Sequence, residues 1–456
     1  MFAEAMSRLP PQPAKTQVAE YRQRQSLLTD QLRESDVLVL SSPPHAVRSN
    51  DVGYPYRTSS DLIYLTGWLE SETTYVLRHA AGGWRSCLFV QAKDTLKEIW
   101  EGRRPGVEGA LSDHAVDEAY GNEELEERLL VWMNDAKRVF HRGGTNTELD
   151  SLVESAVRRR DRARQQFGTG PVAVEDPSGL LAELRLRKSA SEIDQLVYAS
   201  KVASLAHELA MRHSRKGITE YQLQGVVEGF FSYAGTAGWS YPSIVGCGEN
   251  ATILHYKTNS DMCGDDEVIL IDAGAEYRGY ASDITRSWPI SGTFSDAQKE
   301  IYEVVLDAQL AGIAACQVGN PYTAPHEAAR RVMAEGLIRL GVISQTVEEA
   351  LDLETGELKQ WFMHNTSHWI GLDVHDVGIY KPSGEPRLLE PGMCLTVEPG
   401  LYFGAWRPDV TCPKRYANIG IRIEDDILIT ADGPVNLTGD CPKTVEEIEA
   451  IVGKGA

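Results

Sequence analysis

The sequence predicts two domains, an α/β domain followed by an α+β domain, on three observations. Strand-like apolar runs alternate with helical patterns through the amino-terminal part of the chain. A basic, loop-like segment, 158–179, then interrupts that alternation. Beyond it the order of two helices followed by strands occurs twice, as a pseudo-symmetric sheet with flanking helices would require.

In the first domain DVLVLSS (36–42), ETTYVLRHA (72–80) and RSCLFVQA (85–92) read as strands, and NEELEERLLVWMNDA (122–136) reads as a helix. The charged run 158–164 reads as a solvated helix face. From Ser189 a long helix is expected, opened by Ser191 and Asp194 in capping-box spacing, with a second helix from Thr219. Strand material covers 243–290, another helix pair follows, and strands return over 391–430. These patterns set the expected domains at 1–184 and 185–456.

Composition bounds the function. A chain of 456 residues with 42 % apolar and 24 % charged residues has the material for sizeable cores and is not of disordered type. A formal charge of −21 argues against nucleic acid or an anionic membrane as partner. Seven cysteines, at 87, 247, 263, 316, 394, 412 and 441, form no CxxC pair, so neither a disulfide framework nor a thiolate zinc site is indicated and a reducing cytoplasm is expected. No apolar run approaches the roughly 20 residues of a membrane span, and the amino terminus lacks the basic start and apolar core of a signal peptide.

Five residues stand out against this ordinary background. Asp272, Asp283, His368, Glu398 and Glu424 supply four carboxylates and one imidazole, each within a short apolar stretch where an unpaired charge is expensive to bury. Such a set reads as a two-metal site. EVILIDAG (267–274) and GYASDITRSW (279–288) read as a hairpin, and a turn centred between Tyr277 and Arg278 sets Asp272 directly opposite Asp283. Opposed side chains lie about 5 Å apart at Cβ, where two carboxylates repel unless cations or a shared proton intervene. The other three candidates each have a structural alternative. His364 and His368, four apart, fit one face of a surface helix; Glu398-Pro399-Gly400 fits a strand ending in a turn; Arg422 and Glu424 fit the wet face of an amphipathic strand.

The ordered set IDAG, SDITR, HxxxHWIGLDVHD, TVEPGLY and GIRIEDD resembles the signature of the metallopeptidases with the pita-bread fold, and within them aminopeptidase P. YPYRTSSDLIYLTGW (54–68) and EIWEGRRPG (98–106) resemble that family's non-catalytic domain. The resemblance implies a pita-bread fold for the carboxy-terminal catalytic domain and removal of the residue that precedes proline at a peptide's amino end. By it, Asp272 holds one metal, Asp283 and Glu424 bridge two, and His368 and Glu398 complete the second, with a metal-bridging hydroxide as nucleophile. Two divalent ions are expected, manganese before zinc or cobalt, since the donor set is rich in oxygen and has no thiolate.

The resemblance also implies that His255 and His364 donate to the peptide carbonyl, that His375 holds the amino-terminal residue, and that Glu398 relays a proton. Tyr402 and Arg422 orient the ligands, Asp51 lies near an arginine of the site, and Trp100 lines a neighbour's site in a homo-oligomer, dimer or tetramer. His375 has the alternative of stabilising a turn beside Asp376, and Trp100 that of a core aromatic. Asn365, where a glycine is common, and the insertion-like 402–420 depart from the family pattern and bear on pocket shape. Prolidase, which cleaves only Xaa-Pro dipeptides, shares the ligand set. Metal-free relatives serve as binding modules or as hydrolases such as creatinase, and phosphoester hydrolysis is a conceivable side activity of the same hydroxide.

Overall fold

The computed structural model describes residues 2–455. By contact density the chain forms two compact units, Lys15–Arg185 and Met1–Ala14 with Leu186–Ala456. Among the described residues no helix is long and apolar enough to cross a membrane.

The first unit is built on a mixed six-stranded sheet. Its strands are β1 (Asp36–Ser41), β2 (Thr74–Ala80), β3 (Gly83–Val90), β4 (Glu118–Gly121), β5 (Arg138–His141) and β6 (Ala173–Glu175), in the order β4-β3-β2-β1-β5-β6. β1 and the first four residues of β2 are buried throughout, as their apolar runs require. Within 158–179 the charged run read as a solvated helix face lies on the helices Thr147–Arg159 and Asp161–Phe167, the second with no buried residue, while the rest of the stretch, read as a loop, holds the edge strand β6. Gly168 and Gly170, both at positive φ, end the second helix and turn the chain back to the sheet.

In the second unit the long helix α1 (Ala190–His213) opens one residue pair earlier than the spacing of Ser191 and Asp194 suggested. Ser189 is its N-cap and Glu192 returns the second bond of the capping box. Glutamate reaches the N-cap amide where the shorter aspartate does not. Helix α2 (Glu220–Tyr233) starts after Thr219, which forms a capping box with Gln222. Helices α3 (Asp296–Ala315) and α4 (Ala324–Arg339) make the second pair.

Between the helix pairs run β7 (Ile244–Cys247), β8 (Val268–Asp272), β9 (Glu276–Tyr277), β10 (Tyr280–Ala281) and β11 (Thr285–Pro289). After α4 come β12 (Cys394–Val397), β13 (Gly400–Tyr402), β14 (Gly420–Arg422), β15 (Asp425–Thr430) and β16 (Gly433–Asn436). Two three-stranded sheets, β11-β8-β7 and β12-β15-β16, repeat the same arrangement. The Glu424 amide donates to the Thr285 carbonyl (3.1 Å) and the Ser287 hydroxyl donates to the Arg422 carbonyl (3.1 Å), which joins the two halves. The main core, containing Phe230, Phe231, Trp288 and Tyr302, packs helix faces against these strands.

The hairpin register differs from the expected one. Its turn centres between Arg278 and Gly279, both at positive φ (51° and 88°), the conformation of a two-residue turn that suits strand twist. Asp272 therefore faces Thr285, not Asp283. The shift is two residues, so Asp283 stays on the same face, diagonal to Asp272.

Candidate metal centre

Three strand registers bring the site together. The hairpin carries Asp272 and Asp283. The segment 366–370 runs antiparallel to 394–398, with Ile370 N–H on Cys394 O, Thr396 N–H on His368 O and Glu398 N–H on Thr366 O. That pairing sets His368 diagonal to Glu398 and rules out the helical alternative for His364 and His368. Finally, the register that pairs Val397 with Asp425 and Gly400 with Arg422 places Glu398 opposite Glu424.

Side-chain atoms converge accordingly. One ligand atom from each of Asp283, His368 and Glu424 lies within 4.8 Å of the others. His368 Nε2 is 3.4 Å from Asp283 Oδ2 and 3.6 Å from Glu398 Oε1. The Tyr241 hydroxyl reaches both Asp272 and Asp283. Arg422, fully enclosed, donates to Asp272 (2.6 Å), Thr285 (3.0 Å) and Tyr402 (2.9 Å), while Thr285 donates to Glu424 (2.6 Å). All five ligand candidates, with His255, His364, His375 and Arg422, line one cavity of about 780 Å³. Tyr402 is fully buried and bonds to His364 and Arg422.

Electrostatics show what this crowding does. Burial pushes Glu398 up to about 7, with Asp283 and Asp272 adding to the effect against His368 and Arg422. Burial also raises Glu424 well above the carboxylate range, helped by Asp283 and Glu398, and raises Asp283. Burial lowers His368, but its hydrogen bond to Asp283 and the charge of Glu398 outweigh that and hold it at about 9. Burial and Arg422 bring His364 down to about 3, so it is neutral. Burial and His368 lower His375.

The cluster therefore lacks positive charge that its carboxylates need to ionise together, which divalent cations supply. His368 is set up for this: its Nδ1–H donates to the Trp369 carbonyl (3.0 Å), which leaves Nε2 facing the carboxylates.

The flanking histidines divide into two kinds. His364 uses both nitrogens inside the protein, Nδ1 on the Asn365 carbonyl (2.8 Å) and Nε2 on the Tyr402 hydroxyl (2.8 Å). His255 and His375 line the cavity with no hydrogen bond of their own among the described residues, and the His375 ring lies 4.4 Å from that of His368. In the other unit, Asp51 is exposed and Trp100 is 88 % exposed, which removes its core alternative. Sequence reading missed Tyr241, Tyr322 and His326, all cavity-lining. His326, held at about 4 by burial, bonds to Thr366 (2.9 Å), and no local pattern marks it.

The profile of metallopeptidase family M24 matches residues 194–431, and that of the aminopeptidase P N-terminal domain matches 21–140. An Xaa-Pro aminopeptidase of Escherichia coli is 40 % identical over 434 residues, covering 95 % of this chain and 97 % of its own. The chain belongs to metallopeptidase family M24, among the Xaa-Pro aminopeptidases. As a member it is a metalloaminopeptidase with an α/β amino-terminal domain and an α+β pita-bread catalytic domain, and its family implies divalent metal ions. Solved structures agree. The aminopeptidase PepP of Pseudomonas aeruginosa superimposes with a TM-score of 0.91 at 38 % identity, covering 96 % of this chain and 98 % of that one. The zinc-substituted E. coli aminopeptidase P in complex with product gives 0.90 at 39 % identity, with the same coverage.

Proposed function

We propose that this M24 metallopeptidase hydrolyses the bond between an amino-terminal residue and a following proline. The observation that carries the reading is the gathering of four carboxylates in one cavity, Asp283, Glu398 and Glu424 close about an imidazole whose Nδ1 is already committed to a carbonyl and Asp272 beside them. Asp272, Asp283, His368, Glu398 and Glu424 would hold two divalent ions. Manganese, with zinc or cobalt as alternatives, would supply a water that ionises near neutral pH, hence hydroxide, and polarisation of the scissile carbonyl.

The chain's own groups do the rest. Proline nitrogen carries no hydrogen and becomes a poor leaving group unless protonated. Glu398, 3.6 Å from His368 Nε2 at the cavity wall, would take a proton and return it to that nitrogen. His255 and His375, free to donate, hold the substrate's carbonyl and amino-terminal residue. His364, Tyr402 and Arg422 form a bonded chain that fixes Asp272 and shapes the pocket wall.

The reading extends to organisation and place. The working domains are 1–184 and 185–456, the protein acts in the cytoplasm with its seven cysteines reduced, and it works as a homo-oligomer. Helix Thr95–Glu101 supports the last point, since it leaves Leu96, Ile99 and Trp100 each more than 70 % exposed. The test strips the protein of metal, restores it separately with manganese, zinc and cobalt, and offers Xaa-Pro-Xaa tripeptides beside Xaa-Pro dipeptides with products read by mass spectrometry. Tripeptide cleavage that returns with metal supports the proposal; cleavage of dipeptides alone replaces it with prolidase.

A further inference from the structure

The cavity is lined by three residues with fixed positive charge, Lys257, Lys381 and Arg422. Arg422 is spent on Asp272, Thr285 and Tyr402. The side-chain ammonium groups of Lys257 and Lys381 have neither an ion pair nor a hydrogen bond among the described residues, in a chain whose net charge is −21 and which offers 66 acidic groups as partners. Two lysines left unpaired at the same cavity of so acidic a protein point to a ligand charge.

Both lysines extend from anchored backbone. Lys257 follows Tyr256, whose hydroxyl donates to buried Glu220 (3.0 Å). Lys381 follows Tyr380, whose ring stacks on Trp369 at 5.6 Å and 8°. The Arg387 amide also donates to the Tyr380 carbonyl (2.8 Å). The lysines themselves are exposed, whereas the cluster of carboxylates below is enclosed. Their charges therefore meet the part of a bound peptide that emerges from the cavity, downstream of the scissile bond.

Resting on the peptidase reading above, we propose that Lys257 and Lys381 form a carboxylate-binding subsite for the portion of substrate beyond proline. The recognised group is a carboxylate, either the chain end of a tripeptide or an acidic side chain following proline. Lysine suits this role, because its compact charge on a flexible stem can follow a carboxylate whose position varies between peptides. A local positive field at the mouth also offsets the repulsion that a protein of this net charge exerts on an anionic peptide.

The test compares the metal-loaded protein with its Lys257→Ala/Lys381→Ala variant on three peptides: Ala-Pro-Ala, its carboxy-terminal amide, and Ala-Pro-Asp amide. The expected result is a lower KM for Ala-Pro-Ala than for its amide, by roughly two- to fivefold per lysine with kcat unchanged. The double variant should lose that preference, and salt should shrink it in the wild type. A preference shared by Ala-Pro-Asp amide assigns the subsite to any carboxylate past proline; one confined to Ala-Pro-Ala assigns it to the chain end. Equal KM for acid and amide, or a preference that survives in the double variant, overturns the proposal. Calorimetric binding of the products Pro-Ala and Pro-Ala amide keeps the two readings apart. If no tripeptide is cleaved yet Pro-Ala binds better than its amide only in the wild type, the subsite stands and the activity assignment falls.

Discussion

Glu220 controls the segment that carries His255 and Lys257, and its removal has a calculable consequence. It sits on the first turn of α2, fully buried, with its carboxylate facing 247–261. Oε1 accepts from the Cys247 amide (2.8 Å) and the Asn250 side chain (2.9 Å), and Oε2 from the Tyr256 hydroxyl (3.0 Å) and the Asp261 amide (2.9 Å). A carboxylate near a helix N-terminus is also favoured by the helix dipole. In Glu220→Ala the buried Cys247 amide loses a charged acceptor, which costs about 1–3 kcal/mol, and three further bonds are exchanged for water at about 0.5–1 kcal/mol each. The sum, roughly 2.5–6 kcal/mol, is large for a single substitution. Glu220→Gln keeps the shape but turns an NH₂ toward two donors, so about half that loss is expected. Urea denaturation measures the loss, and hydrogen exchange over 247–261 locates it. A change below about 1 kcal/mol with exchange in that segment unaltered would refute the view that Glu220 fastens it.

Three other outcomes are expected. Metal affinity should weaken as pH falls below about 9, where His368 takes up its proton, and more steeply below about 7, where Glu398 does so, because both must lose protons to act as ligands. Calorimetry in buffers of different ionisation enthalpy should show proton release on binding, and none would contradict the coupling. His207, fully buried with its charged form disfavoured and its value brought down to about 4, gives stability that is present above the unfolded value near 6.5. Unfolded histidine takes up a proton that the folded ring refuses, so roughly 3 kcal/mol is lost between pH 6.5 and 4, and His207→Gln should flatten that slope in denaturation curves. Lys188 and Asp376 form an ion pair at 3.0 Å with both side chains 1 % exposed. Lys188→Met removes the charge paired with the buried carboxylate and should cost about 3–5 kcal/mol, while Lys188→Met/Asp376→Leu should recover most of it in a double-mutant cycle.

Glu424, alternating with Arg422, fits a wet strand face locally and was singled out by the family resemblance, whereas the hairpin candidates Asp272 and Asp283 were legible because a charge inside an apolar strand is locally anomalous. Their faces survived a wrong register because the turn moved the hairpin by two residues, which preserves parity, and Arg278-Gly279 takes the turn because glycine tolerates positive φ where Tyr277 would be strained. The helix cap went astray for a related reason, since Ser189 and Ser191 each offer the spacing and only the glutamate at 192 completes the box. The residues that orient the site lack any such mark. Tyr241 joins Asp272 to Asp283 from 31 and 42 residues away, and Glu220 fastens Asp261 from 41. A tyrosine between a serine and a proline or a glutamate in a first helical turn is unremarkable locally, so its partner is set by tertiary contact alone. The same holds for Lys257 and Lys381, whose meaning lies in the carboxylates that do not approach them.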